Sequence, residues 1–126
     1  MFFSEPELHL GANVVVPDLA GWRRERMPAF PDTAYFETPP DWICEILSDS
    51  TERYDRDAKR RIYAEAGIPH LWLLDPRSQV LEVFQLTAGH WLLAATFSGN
   101  QEVRAVPFDA TAFPLGLLWP LDQPDA

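Results

Sequence analysis

A chain of 126 residues supports one domain with a single core and is too short for two ordinary ones. Hydrophobic residues at 47% and aromatic residues at 13% exclude general disorder, and no apolar run approaches the roughly 20 residues of a membrane helix. A formal charge of −9 argues against a basic polyanion binder, and the single cysteine, Cys44, excludes an internal disulfide and makes a reducing cytoplasm the expected compartment.

The opening Met1-Phe2-Phe3-Ser4-Glu5-Pro6 carries no basic leader and no long apolar stretch, so no secretory signal is expected. Residues 1–12 read as a polar lead-in with one short extended piece at Leu8-His9-Leu10. Residues 13–18 form the first expected strand, ending in Val14-Val15-Val16-Pro17-Asp18. Residues 21–40 contain Pro28, Pro31, Pro39 and Pro40 without a sustained period, which predicts a long loop. The apolar run at 42–48 predicts a buried central strand.

A helix capped by Thr51 or Asp55 is expected to run to about Ala66, stopped by Gly67 and Pro69. Ala58, Ile62 and Ala66 recur at four-residue spacing and would face the core, with Tyr63 at one edge. His70 to Asp75 predicts another apolar strand, and 80–86 with 90–97 a hairpin turning at Thr87-Ala88-Gly89. Residues 102–107 would add an edge strand, and the apolar, Pro-interrupted tail runs from Phe113 to Pro120 before a frayed end at 123–126. The sum is a mixed sheet with one strong helix, hence α/β or α+β in a single domain over 1–126.

Glu45 stands inside Trp42-Ile43-Cys44-Glu45-Ile46-Leu47. A carboxylate in such a strand must be protonated, paired or bound to a metal, because burying it alone costs many kcal/mol. A buried ion pair with an arginine is the structural alternative. Asp18 closes another apolar strand, where its alternative role is to cap a Pro-Asp turn. Lys59, the only lysine in a chain otherwise rich in arginine, lies on the expected helix. A compact ammonium can orient a water or meet charge on a phosphorane, although an i,i+4 pair with Asp55 would also explain it. Asp55, Lys59 and Tyr63 share one helical stripe and would aim at one neighbour. Two acids and one ammonium from two strands and a helix are the parts of a metal-dependent phosphodiesterase.

Asp75 closes a strand as Asp18 does and is a candidate third acid, but Asp-Pro at a strand end favours a turn. His9, His70 and His90 are solitary and outside metal-ligand spacing; Ser48 and Ser50 lack a histidine partner for a hydrolase triad. Eight of the ten basic residues fall in two clusters: Arg23, Arg24 and Arg26, then Arg53, Arg56, Lys59, Arg60 and Arg61. They read either as solvated surface or as the basic rim of a phosphate-binding cleft, with Arg53, Arg56 and Arg60 as candidate DNA contacts.

The segments Val15-Val16-Pro17-Asp18-Leu19, Pro39-Pro40-Asp41-Trp42-Ile43-Cys44-Glu45-Ile46-Leu47-Ser48, Asp55 to Lys59 with Tyr63, and Gly67-Ile68-Pro69-His70-Leu71-Trp72-Leu73-Leu74-Asp75-Pro76 resemble the Uma-type proteins. These are a bacterial branch of the PD-(D/E)XK nuclease superfamily, usually described as candidate restriction endonucleases. The resemblance covers about residues 14–86 and implies a restriction-endonuclease-like mixed sheet flanked by helices. It further implies Asp18 and Glu45 as ligands of Mg²⁺ (or Mn²⁺), catalysis by Asp18, Glu45 and Lys59, and DNA as substrate. The superfamily's usual lysine, two residues after the second acid, is replaced by Leu47, whereas Uma-type proteins carry one on the following helix, matching Lys59. Similar proteins place an N-terminal segment with a helix before the first motif strand; only about a dozen residues precede Val14, so that layer is expected to be missing. Their Glu-Tyr-Trp after the helix reads His70-Leu71-Trp72.

The leading expectation is therefore a Mg²⁺-dependent DNA endonuclease. The alternative is a non-catalytic module that keeps the fold for assembly or regulation. In either case the missing layer and the apolar segment at 113–121 predict at least a homodimer.

Overall fold

The computed structural model describes residues 1–48 and 52–119, with the side chains of 52–55 left outside the description. Its centre is a six-stranded sheet in the order β1 (Phe2–Ser4), β4 (Leu19–Gly21), β5 (Trp42–Ile46), β6 (His70–Asp75), β7 (Val80–Thr87) and β8 (His90–Ser98). Strand β5 (Trp42–Ile46) lies parallel to β6 (His70–Asp75), with Trp42 opposite His70 and Ile46 opposite Leu74. A parallel pair needs a crossover, and α1 (Glu52–Glu65) provides it. On one side of this pair β4 (Leu19–Gly21) runs antiparallel to β5, and β1 (Phe2–Ser4) antiparallel to β4. On the other side β7 (Val80–Thr87) and β8 (His90–Ser98) continue antiparallel, with a register irregularity between Val83 and Phe84. The mixed sheet with one helix is the expected α+β architecture, although a single α-helix stands among the described residues where flanking helices were anticipated.

The alternation of side chains along the strands divides the core. Ile43, Leu71 and Leu73 pack with Tyr63 and Ile68 on the helical face. Trp42, Cys44, Trp72 and Leu74 pack on the opposite face with Val103, Leu115 and Trp119 from the C-terminal arm. Thus Tyr63 is central and fully buried, not at the edge of the helical stripe. The helix ends in a Schellman arrangement: Gly67 N–H donates to the Ala64 carbonyl at 3.0 Å and Ile68 N–H to the Tyr63 carbonyl at 3.2 Å. Gly67 takes φ +77° to allow this. The β7–β8 hairpin turns on Ala88 and Gly89, both at positive φ, the twist a two-residue primed turn requires.

Several element boundaries depart from expectation. The strand anticipated at 13–18 is two short ones, β3 (Asn13–Val15) and β4, broken at fully buried Pro17, which has no N–H for a ladder. The short extended piece expected at Leu8-His9-Leu10 is β2 (Leu8–Leu10), which pairs with β3, whereas β1, an edge of the main sheet, was not expected in the polar lead-in. The segment at 102–107 yields only β9 (Glu102–Val103), paired with β10 (Phe113–Pro114) away from the main sheet. The apolar C-terminal segment is partly consumed internally: Leu115 and Trp119 are buried, while Leu117 and Leu118 stay exposed. The proposed cap at Thr51 and the end at 123–126 lie outside the described residues. No described helix is long and apolar enough to cross a membrane.

Candidate active site

The antiparallel register sets Leu19 opposite Cys44, which brings Asp18, one residue before β4, alongside Glu45. Asp18 Oδ2 accepts the backbone N–H of Ile46 at 2.6 Å, fastening the end of β5 to the β3–β4 break. This bond reaches across to the neighbouring strand, 28 residues away, and is not the local Pro-Asp turn cap anticipated as the alternative role of Asp18.

Glu45 is the one buried charged residue among those described, at 7% exposure. It shares the helical face of β5 with Ile43, so its side chain meets α1. Tyr63 Oη donates to Glu45 Oε2 at 2.5 Å, and Lys59 Nζ stands 3.8 Å from the same oxygen. Lys59 Nζ also donates to the Val16 carbonyl at 3.3 Å, which the break before Pro17 leaves outside any ladder. The four-residue spacing of Lys59 and Tyr63 thus converges on a single carboxylate. The stripe expected to aim Lys59 and Tyr63 at one neighbour does so, and that neighbour is Glu45; Tyr63, also expected at the edge of the core, hydrogen-bonds it directly. No arginine side chain pairs with Glu45 among the described contacts.

Burial raises the Glu45 pKa to about 7; the Tyr63 hydrogen bond and the Lys59 ammonium oppose that shift, and the Asp18 carboxyl adds to it. Neighbouring Cys44 is pushed up to about 12 by burial and by the two acids, so it remains an inert thiol on the other face of β5.

A cleft of about 360 Å³ opens here, lined by Asp18, Glu45, Ile46, Ser48, Arg56 and Lys59 among others. Arg56 has its Nε buried without a hydrogen-bond partner. Arg60, one turn further on, lies outside the cleft, its guanidinium 4.7 Å above the Phe84 ring. The Arg53 side chain lies outside the described residues. Asp75 is occupied at a turn, accepting N–H groups of Arg77 at 3.0 Å and Ser78 at 3.4 Å. The described residues contain no group of three or more His, Cys, Asp or Glu side chains that could hold an ion. What remains is a carboxylate pair, a hard-oxygen set matching ions such as Mg²⁺ that keep most of their water.

No curated protein matches the chain. Among solved structures, the fold is similar to one titled a "putative nuclease belonging to DUF820" from Anabaena variabilis, with a TM-score of 0.68 at 22% identity. The match covers 90% of this chain and 64% of that one, so the chain spans less than two thirds of its neighbour's length. A family model described as "Putative restriction endonuclease" matches residues 1–115. On that match, which runs through Asp18, Glu45 and Lys59, the chain belongs to the Uma2 family.

Proposed function

We propose that the chain is a nuclease that hydrolyses DNA phosphodiester bonds with the help of Mg²⁺ or Mn²⁺. The observation that carries this reading is buried Glu45, held between Lys59 and Tyr63 with Asp18 beside it, at the wall of an open cleft. Asp18 and Glu45 would hold the ion. When bound, it polarises the phosphoryl oxygen and acidifies a water. Tyr63 donates to Glu45 Oε2 and so fixes the carboxylate at the cleft wall. Lys59 orients the attacking water or meets the charge of the phosphorane. Arg56, with a donor unused on the cleft wall, meets a phosphate. Arg60 is given no such role, because its guanidinium is stacked on Phe84.

The test is thermal unfolding with and without Mn²⁺ or Mg²⁺. Binding to the folded state alone adds about 2.7 kcal/mol at a hundredfold excess over Kd. Wild type should gain melting temperature, and Glu45→Gln should not; equal gains in both would make Glu45 structural. Lys59→Met should retain most DNA binding and lose cleavage, because its contribution is confined to the transition state.

A second reading, a non-catalytic module that keeps this fold for assembly, is favoured by exposed leucines. Leu92 and Leu93 lie on edge strand β8, and Leu117 on the C-terminal arm. Absence of any DNA affinity at low salt with Ca²⁺ present would select it.

A further inference from the structure

Strand β8 closes one side of the main sheet and, at nine residues, is its longest strand; no described strand pairs with its outer side. Edge strands are commonly guarded by charge, lysine or proline, because their free N–H and C=O groups recruit another strand. β8 has none of these. The nineteen residues from Val83 to Gln101 contain no Asp, Glu, Lys, Arg or Pro, the longest charge-free stretch of the sequence. The same strand exposes two large apolar side chains, Leu92 at 58% and Leu93 at 49%.

Its one guard is a bulge. Phe84 opposes Leu93 and Val83 opposes Ala95, which leaves Ala94 without a register partner. The extra residue turns the strand over: Trp91 packs against the helical-face core with Phe84, whereas Ala95 and Phe97 pack against the core of the opposite face. Directly opposed residues of an antiparallel pair share a face. A copy of β8 therefore cannot pair along the whole strand, because Trp91 would oppose the partner's Phe97 from the wrong face. Only the stretch before the bulge, 90–93, can pair with itself.

Within that stretch the alternation of faces selects the register. A two-fold axis normal to the sheet sets one residue opposite its own copy. With Leu92 in that place, Trp91 opposes the partner's Leu93 on the helical face, twice over by symmetry, and the two Leu92 side chains meet on the other. Centring on Trp91 would set Leu93 against the partner's Gly89, and centring on Leu93 would carry the pairing into the bulge. Trp91 is already fixed, its Nε1 donating to the Arg60 carbonyl at 2.9 Å, so it loses little freedom on docking. Charge points the same way. Each chain carries −9, and two copies approach at least cost where neither presents a charge.

We infer that β8 is a self-association site: two chains pair antiparallel through 90–93, with Leu92 opposite Leu92 of the partner subunit, and join their main sheets into one. The apolar segment at 113–121, where the sequence placed self-association, has Leu115 and Trp119 buried within its own chain. The catalytic cleft lies beyond β7 and β6 and takes no residue from β8, so this assignment rests on neither reading of the function.

Sedimentation of the full chain and cysteine cross-linking test it together. Wild type should sediment as a dimer at micromolar concentration. Leu93→Lys, at an exposed position that leaves the core intact, sets an ammonium against the partner's Trp91 and should raise the dimer dissociation constant by about tenfold or more. Directly opposed residues stand about 4.5–5.5 Å apart at Cβ, within reach of a disulfide after a small adjustment. Leu92→Cys should therefore give a covalent dimer on oxidation, with native Cys44 buried and unable to compete. Thr96→Cys, exposed on the same strand beyond the bulge, should not. A monomeric wild type, a dimer indifferent to Leu93→Lys, or cross-linking of Thr96→Cys as readily as Leu92→Cys would overturn the assignment.

Discussion

Glu45 shows at the scale of one residue how position sets chemistry. Its folded pKa of about 7 lies above the ordinary glutamate value of 4.5, because burial favours the neutral acid. The neutral form contributes its full stability below the unfolded pKa, and that contribution is lost as pH rises from about 4.5 to about 7. Metal-free protein should therefore be less stable at pH 8 than at pH 5 by on the order of 2–3 kcal/mol from this group. Glu45→Gln should flatten that part of the profile, which urea unfolding at the two pH values measures. The ion prefers the carboxylate, so metal affinity should run oppositely and rise across the same window. Tyr63→Phe removes the hydroxyl donor from Glu45 and should cost about 1–2 kcal/mol while raising the Glu45 pKa further. A variant with unchanged stability and an unchanged pH profile would mean that the hydroxyl does not hold the carboxylate.

At the scale of elements, the strand–helix–strand unit from β5 to β6 presents Lys59 and Tyr63 to Glu45. Its geometry depends on how α1 ends. A Cβ at Gly67 would meet nothing within 4 Å, so Gly67→Ala tests backbone strain alone. With φ at +77° it should destabilise by about 1 kcal/mol, read as a lowered melting temperature without loss of the folded far-UV spectrum. The break at Pro17 has the complementary effect on the other side of the cleft. By ending β3 early, it leaves the Val16 carbonyl for Lys59 and turns Asp18 towards the Ile46 N–H.

For the whole molecule, a charge of −9 and the two cations of the cleft, Arg56 and Lys59, make opposite demands on DNA binding. Contact should be weak, salt-sensitive and aided by divalent ions. Arg56→Gln should lower the slope of log affinity against log salt by about one unit, whereas Arg60→Gln, already stacked on Phe84, should leave it nearly unchanged. Equal effects of the two would place the DNA along the outer face of α1 and not in the cleft. Exposed Leu92, Leu93 and Leu117 support the proposal that two chains pair, since each Å² of wet apolar surface forfeits about 25 cal/mol. Sedimentation at micromolar concentration should give a dimer, and a clean monomer would refute this.

The sequence by itself determined the elements whose signals are local. An apolar run bounded by breakers marks β5 and β6, four-residue spacing followed by Gly67 marks α1, and Ala88-Gly89 marks the hairpin. It also singled out Asp18, Glu45 and Lys59, because a carboxylate within an apolar run and a lone lysine are conspicuous without coordinates. Only the tertiary structure decided what depends on distant neighbours. Phe2–Ser4 becomes an edge of the main sheet because β4 offers it a partner, a fact absent from its own periodicity. Tyr63 is Glu45's partner, and Arg56 but not Arg60 enters the cleft, because the direction of a helical stripe is fixed by the sheet it lies on. The open edge of β8 is visible only there as well: which strand ends a sheet, and where a bulge turns its side chains over, are properties of pairing, and no spacing of residues records them.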